Sequence, residues 1–245
     1  MPRVKREKSA TGIYHVMLRG NNKNRIFEQE QDKGKLYNII KEVKDEYPFK
    51  IYAYCIMNNH CHLLVKEETV PINEFMKMIN QKYAVYYNRN RNKVGHVFQD
   101  RFRSETVEDD RYFLGLIRYI HLNPLEAKMV EDPYQYKWCS YKEYFYETPL
   151  MVDSEFVKTN ICPERENFRR NFINLHRGDD ENLYLDTDEA REARRKKIAE
   201  RVFLNDGGVN EKSIKKLRDN TGMTFREIAR AANISINMVN KYLNQ

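Results

Sequence analysis

Two histidines one residue apart, His60 and His62, are the side chains of this sequence best suited to chemistry. In an extended segment alternate side chains share a face, so the two imidazoles converge while Cys61, Leu63 and Val65 turn into the core. Neutral imidazole is the commonest metal ligand, and this spacing lets both rings hold one divalent ion. Two unrelated histidines on a polar strand face would give the same pattern, so the pair needs support from elsewhere. Tyr119 and Asn123 lie four residues apart in a helical pattern and so share one side of a helix. Phe113, Leu116, Ile117 and Ile120 mark the core stripe of that helix. At ~100° per residue Tyr119 falls off the centre of the stripe and is free to face a cleft. Gly115, one turn earlier, leaves room for a nucleic-acid backbone or for tight packing. As one tyrosine among 17, Tyr119 alone fits packing as well as catalysis.

The elements that must position these residues follow from periodicity and turn signals. Residues 13–19 are β-branched and aromatic, predicting a strand ended by Gly20-Asn21-Asn22. Leu36, Ile39, Ile40 and Val43 recur at helical spacing until Tyr47-Pro48 stops the pattern. A second strand over 49–57, a turn at Asn58-Asn59 and a third strand over 60–66 form a hairpin. Pro71 suits the first position of a second helix, whose stripe runs through Ile72, Phe75, Met76, Ile79, Tyr83, Tyr86 and Tyr87. A fourth strand falls within 97–107, and a third helix over 111–122 is closed by Asn123-Pro124. This order predicts an α+β fold, a split βαβ antiparallel sheet with helices on one face.

The chain has 245 residues, a formal charge of +7 and a pI near 9.0, which point to a polyanionic partner. No apolar run approaches the ~20 residues of a membrane span, and the start lacks a signal peptide, so the expected location is cytoplasmic, away from membranes. Cys55, Cys61, Cys139 and Cys162 are scattered, matching neither a disulfide framework nor a zinc knuckle, and are expected as reduced, packed thiols. Three regions are expected: a catalytic domain over 1–147, a charged and partly helical connector over 148–208, and an all-α module over 209–245. The connector carries an acidic stretch at 179–181 and a basic one at 194–197.

Taken in order, His60-Cys61-His62-Leu63-Leu64, Gln99-Asp100-Arg101-Phe102 and Arg118-Tyr119-Ile120-His121-Leu122-Asn123-Pro124 resemble the blocks of the single-tyrosine HUH transposases. The opening His15-Val16-Met17-Leu18-Arg19-Gly20-Asn21 and Arg25-Ile26-Phe27 fit the same pattern, which is most similar to the REP-associated tyrosine transposases. The resemblance implies a ferredoxin-like or RRM-like fold with the histidines on a central strand, and it assigns the nucleophile to Tyr119. Tyr112 is the rival, without the Ile-x-x-Asn-Pro context. Asn123 would complete the metal site through its amide oxygen, although Pro124 biases it away from helical geometry. The implied cofactor is Mg²⁺ or Mn²⁺, and histidine nitrogens suit Mn²⁺ better. The implied reaction cuts and rejoins single-stranded, hairpin-forming DNA through a 5′-phosphotyrosine. A tyrosine hydroxyl, with a pKa near ~10, needs activation by metal, phosphate or a base, and the sequence names no base. A homodimer exchanging the Tyr119 helix is left open.

Beyond the site, Arg19, Arg89, Arg91, Lys93, Arg101 and Arg103 are candidate contacts to DNA phosphates, with Tyr86, Tyr87, Phe98 and Phe102 interleaved to stack on bases. Arg3, Lys5, Arg6 and Lys8 form either a DNA-touching or a merely solvated tail. Thr224-Phe225-Arg226-Glu227 has a capping-box pattern, and a turn near Asn233 with Ser235 capping the next helix predicts a helix-turn-helix. Ser235, Asn237, Asn240 and Lys241 would face duplex DNA. A DNA-binding regulator that kept the fold without catalysis, and a metal-dependent hydrolase that forms no covalent intermediate, are the alternatives.

Overall fold

A computed structural model of the chain describes residues 7–164, 166–178, 184 and 188–243. Arg3, Lys5, Arg6 and the acidic stretch 179–181 lie outside them. The chain divides into two compact units, Met1–Gly178 and Asp179–Gln245.

The first unit is built on four strands, β1 (Ile13–Arg19), β2 (Phe49–Ile56), β3 (His60–Glu67) and β4 (Arg103–Thr106). Their order is β2-β3-β1-β4, every neighbour antiparallel, so β3 lies between β1 and β2. The β2–β3 hairpin closes with Met57 N–H donating to the His60 carbonyl at 2.8 Å. β1 ends at Gly20, where a Cβ would stand 2.2 Å from the Asn24 carbonyl oxygen. Only glycine therefore permits the tight 3₁₀ turn Asn21–Lys23 that follows.

Both faces of the sheet are covered, which corrects the expected placement of helices on one face. The register sets His62 beside Met17 and Cys55 on one face, and Cys61 beside Leu18 and Ile56 on the other. The Cys61 face takes α1 (Glu30–Glu46) and α2 (Ile72–Arg91): Phe49 stacks on Phe75 at 4.1 Å and Tyr54 meets Tyr37 at 5.8 Å between ring centroids. The histidine face takes α3 (Asp110–Glu126). Every residue of β1 and the first six of β3 are buried, whereas a sheet with one wet face alternates.

Three boundaries differ from expectation. Residues 97–102 leave the ladder after a single bridge, Gly20 to Phe98, so β4 is only four residues long. Pro71 caps α2 from an extended conformation instead of opening it. α3 runs through Asn123 and Pro124. The proline forgoes the bond its N–H would make to the Ile120 carbonyl, yet the helix continues past it, and Ala127 N–H reaches the Asn123 carbonyl at 3.0 Å.

The expected connector over 148–208 is not a separate piece. Its first part forms α4 (Ser154–Ile161) and α5 (Phe168–Arg177). Phe156 packs on Tyr52 at 5.2 Å and Phe113 at 5.4 Å, and Ile51 N–H donates to Asp153 at 2.9 Å. Its second part is α6 (Asp188–Asn205), which shares a core with α7 (Glu211–Thr221), α8 (Phe225–Ala232) and α9 (Ile236–Leu243). Ile198, Val202, Ile214, Leu217, Ile228 and Val239 fill the centre of that second unit. Capping boxes at Asn210/Ser213 and Thr224/Glu227 start α7 and α8, and Gly222 and Asn233 end them in left-handed geometry. Among the described residues no helix is long and apolar enough to cross a membrane, and all four cysteines are buried thiols.

Candidate active site

Alternation along β3 brings the His60 and His62 rings together, their centroids 4.8 Å apart and their planes nearly perpendicular. His62 is fully buried. Burial, reinforced by neighbouring His60, holds its pKa well below the usual histidine range, so the ring stays neutral as a metal ligand must. The His60 Nδ1 lies 2.7 Å from Asn59 Oδ1, and the His62 Nδ1 lies 3.0 Å from His15 Nε2. With Nδ1 so engaged in both rings, Nε2 is the nitrogen each would offer to an ion. Among the described residues no group of three or more His, Cys, Asp or Glu is arranged to hold a metal.

α3 lays Tyr119 across this pair, its ring centroid 5.6 Å from that of His62 and 6.1 Å from that of His15, edge-on to both. Nucleophile candidate and histidine pair thus meet within one chain. Tyr119 is only 2% exposed and does not face an open cleft as expected from its position on the helix. From Leu116 onward α3 is buried on most sides, with the sheet on one side and His176, Tyr141 and Tyr144 around His121 on another. Asn123, one turn on, donates from its side-chain nitrogen to the Tyr119 carbonyl at 3.0 Å, so its amide oxygen is the atom that could hold an ion. Tyr112 donates its hydroxyl to Glu105 at 2.7 Å.

His15, Asn59 and Glu105 are functional candidates that sequence reasoning missed. Asn59 stood as a turn residue and His15 as part of an opening block. Pairing His15 with His62 needs the β1–β3 register, which links residues 47 apart in sequence.

The expected DNA contacts separate into two kinds. Arg89, Lys93, Arg101 and Arg103 are exposed. Arg91 instead pairs with buried Asp32 at 2.6 Å and lies over the Tyr87 ring at 4.1 Å, so it holds α2 against α1. Arg19 is largely buried at the end of β1, opposite His60. Tyr87, Phe98 and Phe102 are buried as well, Phe98 against Phe27 and Tyr83, which corrects their expected role as a base-stacking platform. A groove of about 660 Å³ lies there, its lining a mixture of polar residues such as Asn80, Gln81, Gln99 and Arg101 and apolar ones such as Val97 and Phe98. In the second unit Ser235, Asn237 and Lys241 are exposed and Asn240 is half-buried. The Ser235 hydroxyl accepts from Met238 N–H at 3.2 Å.

An antiparallel sheet whose central strand carries paired histidines beneath a tyrosine-bearing helix has the makings of a tyrosine transposase. Residues 8–123 match the family described as transposase IS200 like. A Haemophilus influenzae protein described as a REP-associated tyrosine transposase is 25% identical over 147 residues, covering 54% of this chain and 80% of that protein. The structure of a REP-associated tyrosine transposase bound to a REP hairpin shares the fold with a TM-score of 0.51 at 16% identity, over 62% of this chain and 93% of that one. A Deinococcus radiodurans protein described as a transposase, at 17% identity and a TM-score of 0.35, covers 49% of this chain and 95% of its own.

Proposed function

We propose that the chain is a metal-dependent, single-tyrosine HUH transposase that nicks and rejoins single-stranded DNA at hairpin-bearing repeats, on a ferredoxin-like sheet. The observation that carries this is the meeting of His60, His62 and Tyr119, with ring centroids 4.8 and 5.6 Å apart, inside the region matched by the family. The hairpin-bound relative supports the substrate class.

His60 and His62 through Nε2 and Asn123 through its amide oxygen would hold Mg²⁺ or Mn²⁺, and two nitrogens with one oxygen favour Mn²⁺. When bound, the ion polarises a non-bridging phosphate oxygen and orients phosphorus for attack. The Tyr119 hydroxyl oxygen bonds to phosphorus and gives up its proton, and the bond to the 3′-oxygen breaks. That oxygen takes a proton to leave as a free 3′-hydroxyl, with a 5′-phosphotyrosine on the enzyme. One phosphoester replaces another, so the step is reversible and rejoining needs no energy source. Burial of Tyr119 excludes competing water but requires DNA to displace its cover.

Exposed Arg89, Lys93, Arg101 and Arg103 would follow the phosphates, and the amide-lined groove beside Arg101 suits unpaired bases. Helices α8 and α9, with the turn between them, would act as a helix-turn-helix, Asn237 and Asn240 reaching base edges and Ser235 and Lys241 the phosphates.

The burial of Tyr119 also favours a second possibility, a DNA-binding regulator without catalysis. Incubating the chain with end-labelled single-stranded hairpin DNA and Mn²⁺ separates the two. Transposase chemistry gives a denaturation-resistant adduct that Tyr119→Phe abolishes. A regulator binds and leaves the DNA intact, and cleavage that survives in Tyr119→Phe without adduct would mark a hydrolase.

A further inference from the structure

His62 rests on polar groups that lie far from it in sequence. His15 on β1 is fully buried, and its ring stacks on that of His62 with centroids 5.1 Å apart and planes 28° apart. Its Nε2 lies 3.0 Å from His62 Nδ1, and its Nδ1 faces a Glu105 carboxylate oxygen at 4.0 Å. That same oxygen accepts the Tyr112 hydroxyl at 2.7 Å. The ladder fixes the row: β4 sets Glu105 directly across from His15, and β3 sets His62 diagonally beyond it, opposite Met17.

The direction of this row follows from what each group can do. At 4.0 Å the Glu105 carboxylate is beyond hydrogen-bond reach of His15 Nδ1, but its negative charge favours the proton on that nitrogen and so leaves the lone pair on Nε2. His62 must then donate from Nδ1, which leaves the lone pair on Nε2. We propose that His15, backed by Glu105, is a positioning residue that locks His62 in the Nδ1–H tautomer and so presets it to bind the divalent ion through Nε2. The inference rests on His60 and His62 being the metal site. A buried His62 without this acceptor would be free to carry its proton on Nε2, where it blocks coordination. Asn59 stands in the same relation to His60.

Two substitutions separate this role from simple packing. His15→Phe fills the space and keeps the stack but cannot accept a proton. His15→Gln offers an amide oxygen near the place of Nε2. Mn²⁺ binding to the full-length chain, followed by the electron paramagnetic resonance of the free ion, should weaken about 10- to 100-fold in His15→Phe and stay within a few-fold in His15→Gln. Without metal, ¹⁵N imidazole resonances should show His62 as Nδ1–H in the unaltered chain and in His15→Gln, and as a tautomer mixture in His15→Phe. Unchanged Mn²⁺ affinity and an unchanged tautomer in His15→Phe would overturn the proposal. Equal losses in both variants would overturn it too, because shape and not an acceptor would then be what matters. An unaltered chain that binds no Mn²⁺ would sink the metal site and the presetting with it, while the tautomer signals would still report whether His15 orders His62.

Discussion

Acid should loosen the first unit through His176, a buried ring on α5 that clamps the Tyr119 helix from behind. Its Nδ1 donates to the Phe172 carbonyl at 2.7 Å and its Nε2 accepts from His121 on α3 at 2.8 Å. His121 in turn lies 2.8 Å from the Ser140 hydroxyl, which accepts the Tyr54 N–H at 2.9 Å. Accepting from His121 requires the His176 ring to be neutral, because a protonated imidazole has no lone pair left on Nε2. Burial pushes the His176 pKa down from 6.5 to about 4, against the opposing hydrogen bond to the Phe172 carbonyl and with a lesser push from nearby Arg118. The unfolded ring takes up a proton as pH falls through about 6.5, and the folded ring does so only near 4. Stability from this residue is therefore complete above about pH 6.5 and is lost as pH falls toward 4, by about 3 kcal/mol at about 1.4 kcal/mol per pH unit. Urea unfolding followed by the fluorescence of Trp138, the single tryptophan and part of this unit, reads the effect directly. His176→Gln should flatten the pH slope between about 6.5 and 4, while His121, also held neutral by burial, keeps its own share. Identical slopes in the two chains would refute the reasoning.

The same fluorescence should report Arg91→Ala as a loss of about 2–3 kcal/mol, below the range for fully buried pairs because the guanidinium is partly exposed and the Tyr86 hydroxyl still donates to the buried Asp32 carboxylate. Lys93→Ala, at an exposed site, should leave the midpoint within about 0.5 kcal/mol and weaken single-stranded DNA binding instead. Gly20→Ala forces a methyl group to 2.2 Å from a backbone oxygen and should cost more than about 2 kcal/mol by the same denaturation midpoint. Lys241→Ala should weaken duplex binding about equally for all sequences and lower the slope of log affinity against log salt by about 1, read by fluorescence anisotropy.

Regular periodicity made the core of the first unit legible. The stripes of Leu36–Val43 and Ile72–Tyr87 and the alternation around His60 each lie within one element, so local spacing reports them. What escaped depends on partners distant in sequence. The histidine face of β3 looked like a polar, wet face because its covering residues, Tyr119 and His15, come from α3 and β1. Phe98 and Phe102, in a stretch rich in basic residues, looked like DNA-stacking rings, yet nothing local reveals that Phe27 and Tyr83 enclose Phe98. The split of 148–208 was hidden by charge density: Val157 and Phe172 join the first core, and Ile198 and Val202 the second, as isolated apolar residues among many ions. The expected ligand Asn123 sits one turn beyond Tyr119, because α3 continues through Pro124 where the sequence pattern predicted its end.

The assignment of Tyr119 can be tested at the level of a single peptide. Trypsin cuts after Arg111 and Arg118, so Tyr112 falls in the peptide 112–118 and Tyr119 in the peptide 119–128. Mass spectrometry of the chain after reaction with single-stranded hairpin DNA and Mn²⁺, followed by nuclease trimming and trypsin, should find the nucleotide mass on 119–128. Finding it on 112–118, or finding cleaved DNA with no modified peptide, would contradict the account.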